Sequence, residues 1–197
     1  MKAANDRFEK ALARFDAANA QDPNLEPFEG GRQPAALLYG RRMTASLERF
    51  VQDASEDLRL AVRAQHLQRW VLPRTNYPEG IKGYNQWRRA MAQFHAEKAG
   101  EILREVGYEE SRIERVKKLI RKDGRLRDNE AQRVEDVACL VFLEHYFAPF
   151  AEKYTDEKLV DIVQKTWQKM SPEAHEAALK LKLGAREHAI VVKALGG

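Results

Sequence analysis

The apolar residues recur with the period of an α-helix along almost the whole chain. Near the N-terminus, Phe8, Leu12 and Phe15 follow one another at spacings of three and four residues, which places them on one helical face. Similar segments continue to the C-terminus, whereas the alternation typical of strands is nearly absent. A short β-branched run at residues 189–195 has no evident partner strand. The pattern therefore predicts an all-α fold.

Start and stop signals divide this pattern into separate helices. Hydroxyl residues at three helix starts are predicted to act as N-caps: Ser55, Thr155 and Ser171. The third helix is predicted to run from residue 56 to near Pro73, and the fourth from about Asn85 to Val106. Residues 22–34, with three prolines and two glycines, are predicted to form a loop. Because no long linker interrupts the 197 residues, we expect a single compact multi-helix domain over residues 1–197.

The charge pattern limits the classes of partner. The chain has 34 basic and 30 acidic residues, a net charge of +4, and the two signs are interleaved. A nucleic-acid partner is possible, but a concentrated basic stripe is not evident. A small anionic ligand or a nucleotide fits better, because a few arginines suffice to bind one phosphate. With one cysteine, Cys139, and no apolar run of membrane-spanning length, we expect a cytoplasmic protein without a membrane partner.

Residues that can carry chemistry are concentrated between residues 63 and 98. This stretch holds His66 and His95, which are able to bind a metal or transfer a proton near neutral pH. Five side chains form the predicted substrate-binding set: Arg69, Arg74, Tyr84, Arg88 and Lys122. The alternative is structural, with Arg69 paired to Glu135 or Asp136 in a buried ion network that holds helices in register.

The order of His66, His95 and Asp136 on successive helices resembles the layout of the HD-domain metal-dependent phosphohydrolases. The resemblance implies an HD-like helical architecture. It also implies a divalent metal (Mn, Fe, Zn or Mg) held by His66, His95 and Asp136, which would activate water against a phosphoester. Glu135 or Glu97 would have to serve as the remaining carboxylate ligand. The chain departs from that family because Ala96 follows His95, where the family has an adjacent aspartate.

Longer blocks resemble a second family more closely. The segments "YGRRMTASLERF", "AQHLQRWVLPRTNYPEGIKGYNQWR", "VEDVACLVFLEHYF" and "KTWQKMS" are similar to the uncharacterised family catalogued as domain of unknown function 4202. This resemblance covers nearly the whole chain and implies a single-domain unit, but it implies no activity.

Three classes of function therefore stay open. The first is a metal-dependent phosphohydrolase of a nucleotide or another small anionic metabolite, with His66, His95 and Asp136 as catalytic residues. The second is a non-catalytic nucleotide- or RNA-binding module that uses arginines and aromatic rings. The third is a structural helical protein that binds a partner. The sequence makes no prediction of the oligomeric state.

Overall fold

The structure is a computed structural model that describes residues 2–197, with side chains from residue 6 onward. In this range there are ten α-helices: α1 (Lys2–Asn19), α2 (Ala35–Phe50), α3 (Glu56–Arg63), α4 (Gly80–Glu105), α5 (Glu110–Arg121), α6 (Asn129–Val141), α7 (Phe147–Ala151), α8 (Asp156–Trp167), α9 (Pro172–Ala178) and α10 (Ala185–Ala194). Two short strands, β1 (Leu25–Phe28) and β2 (Gly31–Pro34), form the one sheet of the described range. The all-α prediction is confirmed.

The chain divides into two compact units, Met1–Val134 and Glu135–Gly197, with the boundary inside α6. We call them unit 1 and unit 2. The expectation of a single domain over residues 1–197 stays a prediction. None of the described helices combines the length and the apolar character that crossing a membrane requires.

Unit 1 is built around the packing of α3 and α4 on α5, with α2 and α1 against α3. Its core consists of fully buried side chains from each of these helices, among them Phe15, Leu47, Leu60, Leu103 and Ile113. Each of them removes apolar surface from water, which favours folding by about 25 cal/mol per Å². The amphipathic pattern seen in the sequence thus supplies the core of this unit.

Helix α3 ends earlier than predicted. Its last residue is Arg63, about ten residues before Pro73, and short turns replace the rest of the predicted helix. The backbone at Gln68 is left-handed, with φ 52° and ψ 39°, which no α-helix can contain. The side chain of Asn19 holds this conformation, because its Oδ1 accepts a hydrogen bond from the Gln68 N–H at 2.9 Å. His66 consequently lies in a turn after α3.

The predicted loop at residues 22–34 is wrong in part, because it contains the antiparallel hairpin of β1 and β2. Leu25 pairs with Pro34, and Phe28 pairs with Gly31. Glu29 and Gly30 form the connection, and both have a positive φ (47° and 78°). Two consecutive positive φ values are characteristic of the tight turns that join hairpin strands. Counting prolines and glycines predicted the turn but missed the strands on either side of it.

Helix α4 begins at Gly80, five residues before the predicted start at Asn85. The turn that precedes it is held by Arg74, whose guanidinium donates to the carbonyls of Tyr77 (2.8 Å), Pro78 (2.8 Å) and Gly80 (3.4 Å). A Cβ on Gly83 would lie 1.8 Å from the Pro78 oxygen, so this position requires glycine. Backbone contacts and one arginine therefore fix the start of α4 where the sequence shows little apolar periodicity.

In unit 2, α10 packs against α8 and α7. Phe147, Leu159, Val163 and Ile190 are buried there. One π-helical turn, Phe142–Tyr146, connects α6 to α7. Three predicted caps are confirmed: in unit 1 Ser55 accepts from Leu58 N, and in unit 2 Thr155 accepts from Lys158 N and Ser171 from Ala174 N.

Candidate anion-binding site

In unit 1, three positive side chains lie within electrostatic range of a histidine that follows α3. We call this group the cationic cluster and define it as His66 with Arg69, Arg88 and Lys122. Three aromatic residues adjoin it: Tyr39, Tyr84 and Trp87.

His66 is half-buried and held between two neighbours. Its ring stacks on that of Tyr39, with a centroid distance of 3.8 Å and an interplanar angle of 15°. Its Nε2 lies 3.3 Å from Nη1 of Arg69. Because a guanidinium only donates, this Nε2 must accept, and the ring proton is therefore on Nδ1. That Nδ1–H has no hydrogen-bond partner among the described residues of unit 1, so it is a donor left for another molecule.

His95 lies on α4 and is buried, with 2% of its surface exposed. Its Nδ1 donates to the carbonyl of Leu67 at 2.7 Å, which leaves Nε2 as an acceptor. This Nε2 is buried without a hydrogen-bond partner. The two histidine rings are neighbours, with centroids 5.7 Å apart. Burial is the main reason that the pKa of His95 falls from 6.5 to about 4, so the ring is uncharged at neutral pH.

The pKa of His66 also lies well below its ordinary value of 6.5. Burial is the largest cause of this shift. The remaining causes disfavour a protonated ring through neighbouring positive charge, in the order Arg69, His95, Lys122 and Arg88. The His66 ring is therefore neutral at neutral pH.

Arg69 is half-buried, and its contacts in the cluster are with neutral groups. The guanidinium lies over the ring of Trp87 at 4.8 Å and donates to His66. Burial lowers the pKa of Arg69, while Tyr39 and Tyr84 oppose that shift. Among the described residues of unit 1, Arg69 has no carboxylate partner. A buried charge without a counter-ion costs free energy, so this site favours an anion.

Arg88 extends the positive surface along α4. It is exposed, and its guanidinium lies 6.0 Å from the ring centre of Tyr84. Like Arg69, it forms no ion pair with the described residues of unit 1. Its charge acts on both His66 and Arg69. Two arginines without acidic partners therefore face the same region.

The backbone around the cluster is held in unusual conformations. Three non-glycine residues in the described chain have a positive φ, and two of them are Gln68, next to Arg69, and Lys122, a member of the cluster. Lys122 ends α5 in the left-handed conformation, with φ 60°. Gln65 connects the two segments, because its Nε2 donates to the Ile120 carbonyl at 3.2 Å. Sparsely populated conformations cost roughly 1–3 kcal/mol and are typical of functional sites.

The structure places Arg74 differently from the other predicted substrate-binding residues. Its two Nη atoms bind the backbone carbonyls before α4, as described above. Its contacts thus belong to the support of α4, which carries Tyr84 and Arg88. The predicted contact of Arg74 with a substrate stays a prediction.

Asp136 and Glu135 belong to unit 2 and are buried. The carboxylate of Asp136 accepts from the backbone N–H of Ser171 at 2.8 Å and from its Oγ at 2.7 Å. Ser171 in turn caps α9. Asp136 therefore supports the start of α9 through Ser171, which is a structural use of a carboxylate that the sequence suggested for a metal.

The residues do not make an evident metal site. In the described part of the chain, no three His, Cys, Asp or Glu side chains form a group that would hold a metal ion. The Nε2 of His66 is engaged by Arg69, and both oxygens of Asp136 accept from Ser171. The Nε2 of His95 is a buried lone pair without a donor among the described residues.

Tyr39, which stacks on His66, was not predicted from the sequence as a site residue. The residue lies on α2, far along the chain from the stretch that was rich in candidates. It opens the block "YGRRMTASLERF", which resembles the family of domain of unknown function 4202. That block was the one signal pointing to it.

Comparison with known proteins identifies the family of the chain but does not indicate an activity. No curated protein and no solved structure matches the chain. The match to a family extends over residues 9–191, which is most of the chain. The chain belongs to the family described as "Domain of unknown function (DUF4202)".

Proposed function

We propose that this protein binds a small phosphorylated anion at the cationic cluster. One observation carries the proposal: Arg69 and Arg88 lie beside a neutral histidine without a carboxylate partner in the described residues of unit 1. Arginine presents several N–H donors in a planar fork that matches the oxygens of a phosphate or a carboxylate. A bound anion would supply the negative charge that these two arginines lack among the described residues of unit 1.

His66 has a defined part in this proposal. Its Nε2 accepts from Arg69, which orients the ring and keeps a proton on Nδ1. A neutral donor beside two guanidinium groups suits a phosphate oxygen. Tyr39 supports the ring from one face, so the orientation of His66 does not depend on the ligand. The site is in this sense preorganised, which lowers the entropic cost of binding.

Calorimetric titration with inorganic phosphate and with pyrophosphate tests the proposal. We expect Arg88→Met to weaken binding by about tenfold or more, because one charged hydrogen bond contributes about 1.5–3 kcal/mol. Arg89→Met is the matched control, since Arg89 is exposed on the same helix and is not among the charges with the largest effect on the pKa of His66. Equal weakening by both variants, or no binding of either anion to the unaltered protein, would refute the proposal.

A metal-dependent phosphohydrolase is the second candidate. The proximity of two neutral imidazoles, His66 and His95, and the unpartnered Nε2 of His95 favour it. Elemental analysis of protein purified without a polyhistidine tag tests this candidate. A bound divalent metal that is lost in a His66→Ala, His95→Ala double variant would support it. Phosphoester hydrolysis that survives in the double variant would reject it.

A further inference from the structure

Tyr84 exposes an aromatic ring beside the cationic cluster. The ring lies on the first half of α4, and 42% of the residue is exposed. Its neighbours from residue 81 to residue 89 are exposed or half-buried, apart from Gly83. Core packing therefore does not account for an aromatic side chain at this position. An exposed ring is available to stack against another planar group.

The other two aromatic rings of the site already contact side chains of the protein. Tyr39 stacks on His66 at 3.8 Å. Trp87 has the guanidinium of Arg69 over its ring, and its Nε1 donates to the Leu72 carbonyl at 2.9 Å. Both are half-buried. Tyr84, whose centroid lies 5.9 Å from that of Trp87, is thus the most exposed ring of the three.

The ring and the positive charges are contiguous. Arg88 lies 6.0 Å from the centre of the Tyr84 ring. Tyr84 also acts on the pKa of Arg69, which places it within electrostatic range of the cluster's most buried arginine. A ligand that joins a planar ring to a phosphate would contact both parts. Aromatic rings beside cations are the usual means by which proteins bind nucleotides without reading the base edge.

The backbone that carries Tyr84 is held in place without a ligand. Arg74 fixes three carbonyls of the turn before α4, and Gly83 packs directly on the Pro78 carbonyl. Tyr84 follows Gly83 in the chain, so these contacts of Arg74 and Gly83 fix the backbone position of Tyr84. Such support reduces the conformational entropy that binding would otherwise cost.

We infer that the ligand of the cationic cluster is a nucleoside phosphate whose base stacks on Tyr84 while its phosphate meets Arg69 and Arg88. This inference rests on the proposed function and makes it more specific, because a sugar phosphate or inorganic phosphate would satisfy the arginines alone. A free nucleotide and the phosphorylated end of a single strand both present this base and phosphate.

Three probes separate the base from the phosphate: adenosine 5′-monophosphate, ribose 5-phosphate and a 5′-phosphorylated single-stranded oligonucleotide. We expect the mononucleotide to bind about 5- to 150-fold more tightly than ribose 5-phosphate, the range measured for stacking of one base. Tyr84→Leu should abolish this preference and leave ribose 5-phosphate unaffected, whereas Tyr84→Trp should retain it. Tyr154→Leu is the control, because Tyr154 is equally exposed, at 43%, and its ring packs on Phe150 with centroids 4.7 Å apart.

The outcomes distinguish the two proposals. Equal binding of the mononucleotide and ribose 5-phosphate would overturn the nucleotide inference and leave the proposed function intact. The same holds if Tyr84→Leu weakens both probes equally. If neither probe binds, the proposed function fails as well. Binding of the oligonucleotide with the same dependence on Tyr84 supports the inference and identifies the polymer as a source of the ligand.

Discussion

Arg63 and Arg69 lie six positions apart in unit 1, yet Arg63 has a carboxylate partner there and Arg69 has none. The side chain of Arg63 is 12% exposed, and its guanidinium donates to both oxygens of Asp16 at 2.8 and 2.6 Å. It also donates to Thr44. Arg69 instead contacts a neutral imidazole and the face of Trp87. One arginine is neutralised within the fold, and the other is left positive.

This difference assigns Arg63 to the stability of the fold and Arg69 to the binding of a ligand. The pair of Arg63 with Asp16 connects the end of α3 to α1 and is complete without any ligand. Other arginines of unit 1 are used in the same way, including Arg112 with Asp57 and Arg115 with Asp128. Arg69 differs from these arginines because its side chain is half-buried beside the neutral His66 and has no carboxylate partner among the described residues of unit 1. Functional sites commonly retain such costs because the ligand offsets them.

Acid should destabilise the protein through the neutral histidines beside Arg69, and this is the largest effect we expect. The pKa of His95 is about 4 in the fold, against 6.5 ordinarily. Below pH 6.5 His95 therefore binds a proton in the unfolded chain but not in the folded one. The free energy of unfolding consequently falls as the pH decreases towards 4. His95 alone should contribute a loss of about 3 kcal/mol over that window. Urea unfolding between pH 7 and pH 4 measures it.

His95→Asn provides the test of this pH dependence, because asparagine retains a donor for the Leu67 carbonyl and does not titrate. The variant should lose less stability on acidification than the unaltered protein. His188→Asn, at an exposed position, should behave like the unaltered protein. If the His95 and His188 variants respond to acid identically, His95 is not the group responsible.

Removing the partner of Arg63 should convert a neutralised arginine into an uncompensated one. We expect Asp16→Ala to lower the free energy of unfolding by about 2–3 kcal/mol, because two charged hydrogen bonds are lost and the guanidinium stays half-buried. Glu105→Ala, which removes a largely exposed partner of Arg14, should cost less than about 1 kcal/mol. Chemical denaturation of both variants compares them. Equal losses would contradict the distinction between the two kinds of ion pair.

Asp136 extends the comparison to a carboxylate in unit 2. We expect Asp136→Asn to lower stability by about 1–2 kcal/mol, because the buried charge that accepts from Ser171 is removed. Ser171→Ala should also destabilise the protein, as it removes the cap of α9. The double variant should lose less than the sum of the single losses, since the two side chains are bonded to each other. Strict additivity would mean that their hydrogen bond contributes little.

The smallest effect should come from Arg69 itself in the absence of a ligand. Arg69→Met loses the contact with Trp87 but removes a half-buried charge that has no acid. These contributions oppose each other, so the free energy of unfolding should change by less than about 1 kcal/mol. Denaturation in a buffer without phosphate is the measurement. A loss as large as that of Asp16→Ala would show that Arg69 stabilises the fold.

The sequence predicted helices well where local signals suffice. Ser55 and Ser171 act as caps because a hydroxyl that accepts from a helix N–H depends on neighbouring residues alone. The end of α3 was missed because it depends on Asn19, which is far from Gln68 in the chain. No periodicity within α3 contains that information.

The candidate site was predicted to a similar extent. Composition identified His66, Arg69 and Arg88, since charged and aromatic residues are concentrated in their stretch of the chain. It did not reveal that Asp136 is bonded to Ser171, or that Tyr39 supports His66. Both contacts join residues distant in sequence, and only the fold specifies them.

Phosphate-dependent stability tests the central claim most directly, because it measures both the unneutralised charge and its ligand. Urea unfolding is compared with and without inorganic phosphate for the unaltered protein and for an Arg69→Met, Arg88→Met double variant. The account predicts that saturating phosphate stabilises the unaltered protein, by about 2.7 kcal/mol at a concentration 100 times the Kd. It predicts no phosphate effect on the double variant. Equal stabilisation of both proteins, or of neither, would contradict the assignment of Arg69 and Arg88 to an anion.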